Sequence, residues 1–291
     1  MLGKHRLSAW RILFCGIFAA VHVAAVAETR GGPAPAHKVV AGNGWKYRVV
    51  AQNLPGVDNL VMDGEGSLYA TQELSHGGGK VIRWHRGKIK TVIVGLNRAD
   101  GLLLHGNSLY ITEEIEDGRV LEYDLVTKKQ RLLATLHRPE GIDLLPDGDL
   151  VVAEDNISGR LMRVPRRGHQ PVEVILGGLN RPEGVAVNPD GAVIFAETET
   201  GRVLSYKEGD VTVVVDDLDE PDQVEFAPDG ALWITEDVKN ARLLRLKNGT
   251  LETVLSGLRF PQGITFGADG TVWLAEQGRH RILAITRDTA H

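Results

Sequence analysis

The chain has 291 residues, a formal net charge of -5, and is 43% hydrophobic with only 5% aromatic residues. A near-neutral chain without a basic stripe excludes nucleic acid as a partner. Its single cysteine, Cys15, lies in the N-terminal segment, which excludes thiol chemistry for everything downstream of it.

In chain order, Lys4, His5, Arg6 and Arg11 precede an apolar run at 12–26, and Ala25-Val26-Ala27 offers a small-x-small cleavage site before Glu28. The run is short for a membrane span. Residues 1–27 are therefore expected to be a signal peptide and the protein to be secreted or periplasmic, with no membrane association after cleavage. Residues 28–45 contain "GGPAPA" and read as a disordered lead-in. A single domain is expected over 46–291.

That domain repeats itself. Six segments align: "GVDNLVMDGEGSLYATQ", "RADGLLLHGNSLYITEE", "RPEGIDLLPDGDLVVAED", "RPEGVAVNPDGAVIFAET", "EPDQVEFAPDGALWITED" and "FPQGITFGADGTVWLAEQ". Each carries a polar residue near its start, at Asp58, Asp100, Glu140, Glu183, Asp222 and Gln262, spaced by 42, 40, 43, 39 and 40 residues. A period of about 40 residues built from short strands is the signature of propeller blades. The third copy reads as four strands, "GIDLL", "DLVVAE", "RLMRVP" and "PVEVIL", parted by turn residues. The sixth copy ends after its third strand, and "KYRVVAQ" at 46–52 supplies the fourth. The fold class is thus all-β: a six-bladed β-propeller of four-stranded blades, closed by an N-terminal strand that completes blade six and leaves no open edge.

In a propeller the first strand of each blade lines the channel. The inner acids Asp58, Asp100, Glu140, Glu183 and Asp222, with Gln262, then converge on one axis at the top face. Converging like charges raise one another's pKa and invite a cation, and oxygen ligands suit calcium, with magnesium as the alternative. The competing reading is that each acid caps a turn or pairs with the arginine two residues before it, Arg98, Arg138 or Arg181. A second ring, Gln72, Glu113, Glu154, Glu197, Glu236 and Glu276, ends the second strands and reads as architecture, accepting backbone N–H groups. The repeat breaks at Asn59 and Gln223, which replace a glycine, and at Gln262, which replaces an acid. With Asp100, Arg138 and Arg181 these are the expected substrate contacts. His137 beside the channel mouth is a candidate for proton transfer. His76 in the blade-one loop "ELSHGGGK" reads as either a lid contact or surface. Trp233 and Trp273 read as core.

The repeats "RPEGVAVNPDGAVIFAE" and "EPDQVEFAPDGALWITED" resemble the senescence-marker-protein/gluconolactonase family, and equally the NHL-repeat and streptogramin-lyase-like propellers. The resemblance spans nearly all of 46–288. From the gluconolactonase family it implies a divalent cation on the channel axis held from blades one, four and five, which by repeat position are Asp58, Glu183 and Asp222. This chain departs from that family: Glu183 stands where the family has asparagine, Pro139-Glu140 where it has Asn-Asp, and Asp58-Asn59-Leu60 where it has Glu-Gly-Pro. The resemblance implies a metal-dependent hydrolase acting on a small-molecule lactone or ester; in that enzyme Asp222 is the expected general base, with Glu140 or His137 as the alternative. Two other readings are a non-catalytic module whose top face binds a ligand or a protein partner, and a lyase, which needs a top-face histidine for which His280 is the candidate.

Overall fold

The structure is a computed structural model that describes residues 38–167 and 170–288. The expected signal peptide at 1–27 and the lead-in up to residue 37 lie outside the described residues. Among the described residues no helix is long and apolar enough to cross a membrane. Helix is confined there to two short 3-10 turns, Thr198–Thr200 and Gln277–Arg279.

Six antiparallel sheets follow one another along the chain, and each inner strand packs beside the inner strand of the next blade. The inner strands are Val57–Met62, Ala99–His105, Pro139–Leu144, Pro182–Val187, Pro221–Phe226 and Pro261–Phe266. Each pairs with a second strand that ends in the outer acid or Gln72, and the third and fourth strands follow outward. Sixth-blade closure is as expected: Trp45–Gln52 pairs antiparallel with Arg281–Arg287, Trp45 facing Arg287 and Gln52 facing Arg281. The end of the expected lead-in has structure of its own. Val40–Ala41 adds a fifth strand to blade five against Thr250–Leu258, and Val39 beside it is buried. An apolar Val39 and Trp45 flank this stretch, a signal that its glycines obscure.

The core lies between blades. Trp233 of blade five meets Trp45 edge-on at 5.5 Å and Phe266 of blade six at 5.8 Å. Trp273 packs on Trp84 of blade one at 5.2 Å. Such tilted aromatic contacts add to the area they bury, and they confirm both tryptophans as core. The Asp-Gly turns, three "PDG" and one "ADG", have a local cause. Asp147, Asp190, Asp229 and Asp269 each accept the N–H two residues on, and the glycine after each adopts a positive φ of 77 to 91°.

Candidate functional site at the channel mouth

Each inner strand is bulged at one place. Its first residue pairs with the end of the second strand, as Pro139 does with Glu154, and regular pairing resumes only three residues on, at Ile142. The same shift recurs in all six blades. The inner acid and the residue after it occupy the bulge, which re-aims the acid from the blade face toward the axis. The glycine that follows has a steric reason. A Cβ on Gly141 would stand 2.4 Å from the Glu183 carbonyl oxygen, and one on Gly184 would stand 2.6 Å from that of Asp222. Neighbouring inner strands touch at Gly141 and Gly184, where a side chain would clash with backbone; Asn59 and Gln223 occupy the equivalent places in blades one and five.

All six inner residues are buried, from 2% exposed for Asp58 and Asp222 to 7% for Gln262. Beside them stands a tier that the sequence reading passed over: Glu73, Glu114, Asp155, Thr198, Asp237 and Gln277, each immediately after an outer-ring residue. Its placement comes from the backbone. The residue entering each inner strand is left-handed, at Gly56, Arg98, Arg138, Arg181, Glu220 and Phe260. Its carbonyl accepts the N–H of Glu73, Glu114, Asp155, Thr198, Asp237 or Gln277 in turn. The doublets "QE", "EE", "ED", "ET", "ED" and "EQ" were the available signal.

The two tiers are stitched together over part of the circle. Arg98 pairs with Glu73 at 2.5 Å and with Glu114. Arg138 pairs with Glu114 and with Asp155 at 2.9 Å, and Arg181 with Asp155 at 2.9 Å and Glu183 at 2.6 Å. No arginine stands at the equivalent entries of blades five, six and one, which carry Glu220, Phe260 and Gly56. Glutamine amides serve there instead: Gln277 donates to Asp58 at 2.7 Å and Glu73 at 3.0 Å, and Gln262 donates to Asp237 at 2.8 Å.

Several carboxylate oxygens remain unsatisfied. Asp58 Oδ1, Asp100 Oδ1 and both oxygens of Asp222 are buried with no hydrogen-bond partner among the described residues. The neighbouring Gln223 amide favours the Asp222 anion without making a well-formed hydrogen bond to it. Burial first, and then neighbouring carboxylates, push Asp58, Asp100, Glu140 and Asp222 far above the usual carboxylate range. Burial, reinforced by Asp155 and opposed by Arg181, lifts Glu183 to about 8, and burial with Glu220 lifts Asp237 to about 7. Such a site holds its charge only with protons or a cation.

The expected residues fare differently. Ligand oxygens lying within 4.8 Å of one another form three groups: Asp58–Glu73–Asp100, Glu114–Glu140–Asp155 and Glu140–Glu183–Asp222. The expected metal trio is thus divided, with Glu183 and Asp222 joined by Glu140 while Asp58 gathers with Glu73 and Asp100. The competing pairing holds for Arg181 with Glu183, but Arg98 and Arg138 reach mainly the second tier. Asn59 spends its side-chain oxygen on the Leu60 N–H at 2.9 Å. His137 does not join the acids. Its ring faces Glu116 at 3.4 Å in an exposed loop, while its backbone N–H donates to Glu154. A position next to a left-handed residue says nothing about where the side chain goes. His76 and His280 are exposed.

The outer ring is architecture, as expected. Glu113, Glu154, Glu197, Glu236 and Glu276 accept the N–H of Asn97, His137, Asn180, Asp219 and Arg259 at 2.7–3.0 Å. Each also pairs with an arginine of the third strand. Gln72, lacking the charge, donates instead to the Pro55 carbonyl at 2.7 Å.

No family model matches the chain. A gluconolactonase from Xanthomonas campestris superposes with a TM-score of 0.71 at 13% identity, covering 88% of this chain and 99% of that one. A streptogramin B lyase superposes with a TM-score of 0.64 at 16% identity, covering 84% and 98%. At such identities the likeness is one of fold. In sequence, 57 residues are 42% identical to the adipocyte plasma membrane-associated protein of Mus musculus. They make up 19% of this chain and 14% of that protein.

Proposed function

We propose that this propeller is an exported, divalent-cation-dependent hydrolase of a lactone or related ester, acting at the top of its channel. One observation carries the reading. Asp222 buries two carboxylate oxygens that no described protein group satisfies, within reach of Glu140 and Glu183. Leaving a carboxylate buried and unpaired costs several kcal/mol, on the order of 3–5. The donor set is all hard oxygen and fits calcium or magnesium. Glu183 and Asp222 would hold the ion, with Glu140 of the same group beside it. A cation bound there supplies polarisation of a carbonyl and a lowered pKa for water. The gluconolactonase resemblance sets the substrate class.

The chain's own groups then divide the work. Glu140 has no described side-chain hydrogen bond and is the carboxylate free to take a proton from an attacking water. Asp222 is the alternative base. Arg138 and Arg181, half-exposed at the rim, orient the oxygen-rich substrate, while Arg181 opposes the burial that raises Glu183.

The test is a panel of small lactones and esters assayed on chelator-treated protein with and without millimolar calcium, beside thermal unfolding of the same samples. Hydrolysis that appears only with the cation supports the reading. A melting midpoint indifferent to calcium and magnesium sinks it. A midpoint that rises without hydrolysis leaves a ligand-binding module.

A further inference from the structure

We infer that the channel mouth holds a second divalent-cation site, at Asp58, Glu73 and Asp100 between blades one and two. The inference rests on the cation reading of the neighbouring Glu140–Glu183–Asp222 group and extends it from one ion to two.

The three acid groups at the mouth are not alike. Glu114–Glu140–Asp155 is laced with guanidinium: Glu114 pairs with Arg98 and Arg138, and Asp155 with Arg138 and Arg181. Glu114 and Asp155 leave no buried oxygen without a partner. That group needs no metal. In the other two groups the charge is short of neutral by the same amount. Asp58, Glu73 and Asp100 carry three carboxylates against one arginine, Arg98 on Glu73. Glu140, Glu183 and Asp222 carry three against one, Arg181 on Glu183. Arg98 is shared with Glu114 and Arg181 with Asp155, so each group keeps an excess of at least two negative charges when ionised, no less than one divalent cation cancels.

The orphaned oxygens fall in these same two groups. Asp58 is 2% exposed and Asp100 6%, and each has an Oδ1 that no donor reaches among the described residues. Both belong to residues of one ligand cluster, and neither oxygen is spent on a backbone N–H, so the protein leaves them without a donor. The remaining lone pairs are held in position: Gln277 donates to Asp58 Oδ2 and Glu73 Oε2 together, fixing two of the three carboxylates from behind. Ligand-orienting contacts of this kind are what metal carboxylates require. A turn-capping role does not explain the orphans, because a cap spends its oxygens on N–H groups.

Two ions also fit the fold better than one. A single cation at Glu140–Glu183–Asp222 would leave the Asp58 and Asp100 carboxylates facing one another's charge across the bulges. Oxygen-only ligands and partial burial assign the second site to calcium or magnesium and not to a thiophilic metal.

The probe is calcium alone. Chelator-treated protein is dialysed to equilibrium against calcium, and bound metal per chain is measured. The expected result is two ions for the parent, one for Asp100→Asn, one for Glu183→Gln, and none for the double variant. The substitutions keep shape and remove like charge, so folding should survive, and unfolding curves in chelator check this. One ion per parent chain, lost in Glu183→Gln and kept in Asp100→Asn, overturns the second site while leaving the proposed function standing. No bound ion in the parent overturns both.

Discussion

Asp222 and Glu154 are both buried carboxylates, yet the fold treats them in opposite ways. Glu154 receives a backbone N–H and an arginine, whereas Asp222 receives neither. Asp222→Asn should therefore raise the melting point of the cation-free protein, abolish the share of the calcium gain that the Glu140–Glu183–Asp222 group supplies, and lower hydrolysis by about a hundredfold or more, the scale of a lost general base or ligand. Glu154→Gln should cost about 2 kcal/mol, the scale of a hydrogen bond to a charged group, because Arg160 is itself half-exposed. Calcium stoichiometry should not change, and denaturant titration beside metal analysis separates the two effects. Lower in the channel, burial and the charge of Asp143 raise Glu225 to about 8. A carboxyl whose folded pKa lies above its unfolded value of about 4.3 binds more protons in the folded state. Stability is then lost as pH rises from about 4 through about 8. Glu225→Gln should flatten that loss, gaining on the parent at about pH 8 and matching it at about pH 4 in urea midpoints. At this scale the inner acids were legible in the sequence because they recur with the blade. Glu73, Glu114, Asp155 and Asp237 were not, since they adjoin a stronger repeat and their direction is set by a left-handed residue some sixteen to seventeen positions earlier, whose carbonyl holds their N–H. For the same reason Arg98 and Arg138 pair with second-tier acids and not with Asp100 and Glu140, whereas Arg181 does reach Glu183.

At the scale of the element, the inner-strand bulge and the closing strand decide the site and the seam. The bulge was invisible in the sequence, because an apolar run with one acid reads as an unbroken strand. Its glycine was the visible trace. The closing strand was legible from its alternation and from the missing fourth strand of copy six, though it begins one residue sooner, at Trp45. That residue matters. Trp45 packs against Trp233 and beneath Arg287, whose guanidinium lies 3.7 Å from its ring centre. Trp45→Ala should cost about 3–5 kcal/mol, typical of a large core truncation, read as a lower denaturant midpoint at unchanged slope. Removing Trp45–Gln52 entirely should leave an unpaired edge on blade six and give aggregation on refolding, followed by light scattering.

Across the whole molecule, six inner strands bring their acids to one mouth, so metal and global stability are linked. A ligand that binds only the folded ring stabilises it by about 2.7 kcal/mol at a hundred times its dissociation constant. Calcium should raise the midpoint of a single cooperative transition for all blades together, not of one blade alone, and calorimetry with chelator and with calcium checks this. The chain also treats its seam unequally. Trp45 and Arg287 lie side by side at the same end of their strand pair, so this pair would peel open one hydrogen bond at a time and not resist in shear. Just upstream, Val40–Ala41 is bonded to the neighbouring blade, with the Gly42 N–H donating to Val254. The stretch from Val39 to Trp45 thereby works as a latch: the seam cannot peel from its weak end until blade five lets go. Amides of Trp45–Gln52 should exchange with solvent more slowly in the intact protein than in one carrying Val39→Ser and Gly42→Ala, whose Cβ would fall 2.3 Å from the Thr253 carbonyl oxygen.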